Sequence, residues 1–147
     1  MGRAKTTVVQ DKFQTAVSYV AEYSGVRGAV IVDTEGLVIA SGGQEKFDAE
    51  KHAALAIQLE STLDKALPQL VTPGVEWLSI KTSDDWLSIA RASKLLLVVA
   101  ADRNADDLLN IRITRSIEMI SSHVKQRYPH YLAPLKKAAR EMEEINV

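Results

Sequence analysis

Cysteine is absent from this chain. That excludes disulfides, thiol nucleophiles and thiolate metal sites, and it fits a reducing compartment. An excess of one charge is also missing: 18 Lys and Arg stand against 19 Asp and Glu, for a net charge of −1. A general nucleic-acid binder needs a basic surface, so that class is set aside. No apolar run reaches the ~18 residues that would cross a bilayer. The N-terminus lacks the apolar core of a secretory signal. The expectation is a cytoplasmic protein without stable membrane insertion. Nucleotide motifs are missing too, with no P-loop and no dinucleotide fingerprint. Gly42-Gly43 is too short to cradle a phosphate. His52, His123 and His130 lack metal-ligand spacing, and His52 reads as a satisfied, partly buried residue. Asp33-x-Glu35-Gly36 starts like an EF-hand loop but lacks the remaining ligands. Asp84-Asp85 are adjacent turn residues, expected to point apart into solvent. The serines have no base partner in any motif. With no catalytic set, no metal site and no cofactor site, the chain reads as a non-enzyme.

What is present describes a fold. The 147 residues suit one domain with a real core, and 46% hydrophobic with 25% charged residues is ordinary for a globular chain. Met1-Gly2-Arg3-Ala4-Lys5-Thr6 fits the permissive myristoylation template, but a frayed basic terminus or cloning remnant is the favoured reading. The organising stretch is Gly25 to Ser41. Ala29-Val30-Ile31-Val32 is apolar without alternation, as in a strand covered on both faces. Asp33-Thr34-Glu35-Gly36 is a turn, with Gly36 suited to a left-handed closing position and a bulge. Leu37 to Ala40 returns as the second strand.

Before this hairpin, residues 1–10 read as a flexible terminus. Asp11 is expected to cap a first helix whose Phe13, Ala16, Val17, Val20 and Ser24 fall at helical spacing, with Gly25 ending it. After the hairpin, Gly42 to Lys46 reads as a loop and Asp48 as the N-cap of a second helix running to Leu67 or Leu70. Its main apolar face is Ala56, Leu59, Leu63, Ala66, Leu67 and Leu70. Ala53 and Ile57 extend it sideways beside Glu60 and Asp64. The apolar arc is then ~200° wide, against the ~100° a one-sided helix needs. A helix that also meets a second subunit would explain the width. Val75–Lys81 and Trp86–Ala90 form a second hairpin around Thr82 to Asp85. Only one register puts Leu78, Ile80, Leu87 and Ile89 on a single face, with Lys81 opposite Trp86, Ser79 opposite Ser88 and Trp77 opposite Ala90. The tryptophans read as core packing against a helix, with a partner interface as the alternative. Lys94 to Ala101 is another unalternating run, hence a central strand. Asn104 is expected to cap a third helix with the stripe Leu109, Ile113, Ile117, Ile120, Val124 and Tyr128. Arg112, Arg115, Lys125 and Arg127 would form its wet face. Residues 129–147 continue as an amphipathic extension in which Leu132, Leu135, Ala138, Met142 and Ile145 share one arc.

The order helix, two strands, helix, three strands, helix resembles the roadblock (dynein light chain) family. Gly25-Val26, Gly28-Ala29-Val30, Asp33, Glu35-Gly36-Leu37 and Ala40-Ser41 carry the resemblance, which covers about Asp11 to Arg127. It implies an α+β domain over residues 11–128, with a five-stranded antiparallel sheet, strands 1 and 5 central, and helices on both faces. It also implies dimers in which second helices pair and third strands join. On that basis Ala53, Ile57, Glu60, Asp64, Trp77 and Ser79 are expected at a homodimer interface. The C-terminal Leu132, Leu135, Ala138, Met142 and Ile145 are expected to contact a partner. Bacterial and archaeal members similar to this chain often bind and regulate Ras-like small GTPases, and the Mgl-type regulators among them activate the GTPase by reshaping its site. The resemblance thus implies a regulator of a small GTPase. Alternatives are a dynein-type or signalling scaffold and, in another class, a profilin-like small-molecule sensor.

Overall fold

The computed structural model describes residues 3–127, with side chains placed from residue 12 onward. The first helix, α1, spans Arg3–Ala21. It begins well before the expected Asp11, which lies inside it and so is not its N-cap. No glycine or proline interrupts Arg3 to Ala21, so nothing in the backbone stops the helix from starting early. Its end is earlier than expected as well: Glu22 to Ser24 form a turn, and Gly25 takes φ 89° before the first strand.

Strand β1 spans Val26–Val32 and β2 spans Val38–Gly43. Asp33 makes the turn between them. Its Oδ1 accepts the backbone N–H groups of Glu35 and Leu37, both at 2.9 Å. Its carbonyl accepts Gly36 N–H at 3.1 Å, and Gly36 sits at φ 88°. The register shifts between Ile31 and Val32, the bulge the turn chemistry anticipates. Gly42 and Gly43 belong to β2 rather than to a loop, pairing with Ala29 and Gly28.

Helix α2 spans Ala49–Ala66, and Asp48 caps it by accepting Lys51 N–H at 3.0 Å. A short 3-10 turn, Leu67–Gln69, replaces its last expected turn because Pro68 cannot continue the ladder. Strands β3 (Trp77–Lys81), β4 (Asp85–Ala92) and β5 (Leu95–Asp102) follow. The β3–β4 pairs are the expected ones, including Lys81 with Trp86 and Trp77 with Ala90. Helix α3 spans Leu109–Arg127. Asn104 does not cap it; Asp106 leads in, its Oδ1 accepting Leu108 N–H at 2.9 Å.

The five strands form one antiparallel sheet in the order β2-β1-β5-β4-β3. Both unalternating runs are internal strands covered on both faces. Ala29, Ile31, Leu97 and Val99 join Phe13, Val17, Val20, Leu109, Ile113 and Ile120 on the α1/α3 side. Val30, Val32, Leu96 and Val98 join Ala53 and Ala56 on the α2 side. Two bonds lock α3 to α1: buried Ser116 donates to the Ala16 carbonyl at 2.8 Å, and Arg112 donates to the Tyr19 carbonyl at 2.8 Å. Arg112 also lies over the rings of Tyr19 and Tyr23, so it is part of that junction and not of the wet face. Among the described residues, the helices do not cover the whole sheet. Edge strand β3 carries no fully buried residue on either side.

Candidate protein-interaction site

The sheet is five strands wide, and α2 covers mainly β1 with parts of β2 and β5. A single helix is ~10 Å across and strands are spaced ~4.8 Å apart, so one helix shields two or three strands. Among the described residues, the α2 face of β3 and of the Leu87 end of β4 therefore lies open: Leu78, Ile80 and Leu87 remain only half-buried there, while Ile89 is buried in the α2-side core. The flank of α2 overlooking this gap carries Leu55, 52% exposed, and half-buried Leu59 and Leu63. Beyond the helix, Leu70 is 82% and Val71 55% exposed. A groove of ~330 Å³ runs between this flank and β4/β5, with Arg27, Lys51 and His52 at its polar end. His52 bonds the Asp48 carbonyl through Nδ1 at 2.7 Å and stacks on Phe47, a satisfied and half-buried residue as read.

This arrangement redistributes the residues expected at a dimer interface. Ala53 is fully buried against its own sheet. It has no surface to offer a second subunit, which corrects its assignment. Glu60 turns inward and pairs with Arg91 of β4, whose Nε also reaches the Val75 carbonyl at 3.4 Å. Ile57 is half-buried in the α2-side core, while Asp64 is exposed. The helix is thus rotated relative to the sequence reading: the small Ala53 and Ala56 seat it on the sheet, and the larger leucines sit on its outer flank. Leu55 was missed. Its spacing to Leu59 gave a signal, since the two lie one turn apart on one face.

On β3, Trp77 is 38% exposed and Ser79 is exposed. Ser79 also has an internal task, for its Oγ accepts the Nε1–H of Trp86 at 2.9 Å. Trp86 is 2% exposed and packs in the α1/α3 core, with the Lys81 ammonium 4.4 Å from its ring centroid. The two tryptophans therefore divide the two readings, Trp86 as core and Trp77 as surface. As the sheet edge, β3 also leaves one side of its backbone without a strand partner among the described residues.

At the end of the groove, Arg27 ties three strands together. Its guanidinium pairs with Asp85, donates to Asp102 at 2.8 Å and donates to the Asp84 carbonyl at 3.0 Å. The hydrogen bond from Arg27 holds the Asp85 carboxyl below its usual range, against the opposing effect of desolvation. Asp85 is therefore folded against Arg27 rather than pointing freely into solvent as expected. Among the described residues no group of three His, Asp or Glu is placed to hold a metal. None of the helices there is long and apolar enough to cross a membrane. The expected partner-contact residues Leu132, Leu135, Ala138, Met142 and Ile145 lie outside the described residues, as does Tyr128.

The fold has known counterparts. The sequence profile of the Roadblock/LC7 domain matches residues 12–101. Myxococcus xanthus MglB superposes with a TM-score of 0.73 at 18% identity, covering 80% of this chain and 90% of that one. A Roadblock/LC7 domain from Streptomyces avermitilis gives 0.67 at 23% identity, covering 76% and 96%. A structure of MglB in a tetrameric arrangement gives 0.72 at 15% identity, covering 80% and 91%. Curated proteins yield no match. At these identities the superpositions speak for the fold, and the profile match over most of the chain speaks for descent: the chain belongs to the Roadblock/LC7 family.

Proposed function

We propose that this protein is a dimeric interaction module that binds and regulates a Ras-like small GTPase in the cytoplasm, without catalytic residues of its own. The observation that carries this is the uncovered half-face formed by Leu55, Leu59, Leu63, Leu78, Ile80 and Leu87 beside the open β3 edge. Half-buried leucines beside an open strand edge suit burial against another polypeptide. The likeness to MglB supports the choice of a GTPase as partner, and the tetrameric arrangement of one such structure supports self-association. Self-association places a second α2 over the open strands and a second β3 along the edge. The GTPase then meets the assembled surface, and its hydrolysis is stimulated by a change in its own site.

The test is nucleotide-dependent capture. Purified protein is offered to lysate of its source organism supplemented with a non-hydrolysable GTP analogue or with GDP. Enrichment of a small GTPase in the GTP-like state is the expected result. That GTPase, once purified, should hydrolyse GTP faster when this chain is added. Capture of no GTPase in either state, or of one that ignores nucleotide, would overturn the reading.

A further inference from the structure

Strand β3 reads Trp77-Leu78-Ser79-Ile80-Lys81. Two bonds fix the phase of its ladder with β4: Thr82 N–H donates to the Asp85 carbonyl at 2.9 Å, and Arg91 N–H donates to the Glu76 carbonyl at 2.8 Å. In an antiparallel ladder the backbone groups of successive residues address the two sides of the strand in turn. The even-numbered residues of β3 therefore face β4, and the N–H and C=O groups of Trp77, Ser79 and Lys81 point outward along the sheet edge. The side chains of these three residues share one face, where they help line an open trough of ~710 Å³ between β3 and α3. Leu78 and Ile80 lie half-buried on the α2 face. Along the trough the edge thus presents an indole, a hydroxyl and an ammonium in that order. The Lys81 ammonium stands 4.4 Å from the Trp86 ring centroid and 4.0 Å from an Asp107 carboxylate oxygen.

We propose that β3 recognises the β3 of a second copy in one register, with Ser79 on the two-fold axis, so that each Lys81 ammonium meets the second copy's Trp77 indole. This deepens the self-association reading and rests on it. Three observations select the occupant and the register. The first is pleat. Opposed residues of an antiparallel pair share a face, so odd positions must meet odd positions. With Ser79 opposite its own counterpart, all five strand residues are paired: Trp77 with Lys81, Leu78 with Ile80, and Ser79 with itself. Sliding the second strand by two residues leaves Ile80 and Lys81, or Trp77 and Leu78, opposite residues beyond the strand. The second is the backbone. The outward groups at Trp77, Ser79 and Lys81 are the ones that exchange N–H···O=C bonds across this axis. The third is charge. An ammonium is attracted to the face of an indole, and Lys81 already lies against one, that of Trp86. Its side chain is still 38% exposed. Directly opposed side chains have Cβ atoms ~5 Å apart, which brings the second copy's Trp77 to the uncovered side of that ammonium. The slid registers set Lys81 opposite Ser79 or Val75 instead, where no ring meets it. A second copy supplies the complement of every position on this edge.

The chain has no cysteine, so introduced thiols have no competitors. Full-length Trp77→Cys and Lys81→Cys chains are mixed in equal amounts, oxidised mildly at micromolar concentration and resolved by non-reducing gel and intact mass. In the proposed register position 77 of one chain lies opposite position 81 of the other, within the ~7 Å between Cα atoms that a disulfide needs. Like positions lie four residues apart along the strands, ~13 Å or more. The mixed dimer also keeps one intact Lys81–Trp77 pair, which neither homodimer does. The expected product is the mixed disulfide, in at least ~10-fold excess over either homodisulfide. A statistical mixture, an excess of homodisulfide, or no crosslink would overturn the pairing. Sedimentation equilibrium gives an independent reading. Trp77→Lys sets two ammoniums opposite each other and should weaken self-association ~10-fold or more, and adding Lys81→Glu should recover most of that loss. An unchanged dimer in Trp77→Lys, or a double variant weaker than Trp77→Lys alone, would also overturn it. No GTPase enters these measurements. A monomeric parent chain ends the self-association reading and the pairing together, whereas a dimer with the wrong crosslinks ends the pairing alone and leaves GTPase capture standing.

Discussion

At Gly43 the backbone takes φ 133°, and a Cβ there would lie 2.4 Å from the Gly28 Cα and 2.5 Å from the Arg27 carbonyl oxygen. Both obstacles are backbone in a paired strand, so neither can swing aside. Gly36, at φ 88°, has open space around its would-be Cβ. Gly43→Ala should cost ~2 kcal/mol or more, and Gly36→Ala only ~1 kcal/mol, in urea unfolding. Similar losses at both positions would show that backbone conformation alone sets the cost. The Arg27–Asp85 pair makes a pH prediction. The Asp85 carboxyl titrates lower in the folded chain than in the unfolded one. Its contribution is therefore present above the unfolded value of ~3.9 and is lost as pH falls through the lower folded value. Melting temperatures recorded from pH 6 down to pH 2 should drop less steeply below about pH 4 in Asp85→Asn than in the parent chain. Because both side chains are substantially exposed, the difference should shrink in high salt.

Among the elements, α2 shows how local rules and packing divide the work. Its start follows from chemistry readable in the sequence: Asp48 accepts Lys51 N–H, and Glu50 sits in the first turn. Asp48→Ala should cost about 1 kcal/mol in chemical denaturation, and Asp48→Asn or Asp48→Ser should recover most of it. A full loss with Asn as well would mean that the charge, not the cap bond, is what counts. Its rotation about its own axis follows from packing. The smallest side chains, Ala53 and Ala56, are buried against the sheet, letting the helix approach closely, while Leu55 and Leu59 are pushed to the flank. The hairpins behave differently. The pairing of β3 with β4 was readable residue by residue, because a slip would mix aliphatic with polar positions. At α3 the apolar stripe was readable. Buried Ser116 and His123 were not, because they sit beside α1 and only that contact buries them.

For the molecule as a whole, the open α2 flank and the bare β3 edge make a sharp pair of expectations. A stable interface buries on the order of 1,200–2,000 Å² in total. Sedimentation equilibrium at micromolar concentration should show a dimer or a larger assembly. Leu55→Asp should shift it toward monomer while leaving the far-ultraviolet circular dichroism spectrum unchanged, because Leu55 is 52% exposed in the subunit. Ala53→Arg should act otherwise. Forcing a charge into a fully buried site should lower subunit stability by ~3 kcal/mol or more. A monomeric parent chain would refute the interface, and a well-folded monomeric Ala53→Arg would restore Ala53 to it.

Taken by itself, the sequence determined the elements, their order and the two-faced central strands. Those depend on local periodicity, turn chemistry and registers that a one-residue slip would spoil, all of which neighbouring residues carry. It also placed Asp33, Gly36 and Asp48 in their roles. Only the tertiary structure decided which flank of α2 is free, that Glu60 is spent on Arg91, and that Asp85 is held by Arg27. It alone showed that, among the described residues, α1 and α3 stop short of β3. These are matters of how far a helix can reach across a sheet and which long side chains meet across it. Partners such as Arg27 and Asp85, far apart in the chain, leave no periodic trace in either segment.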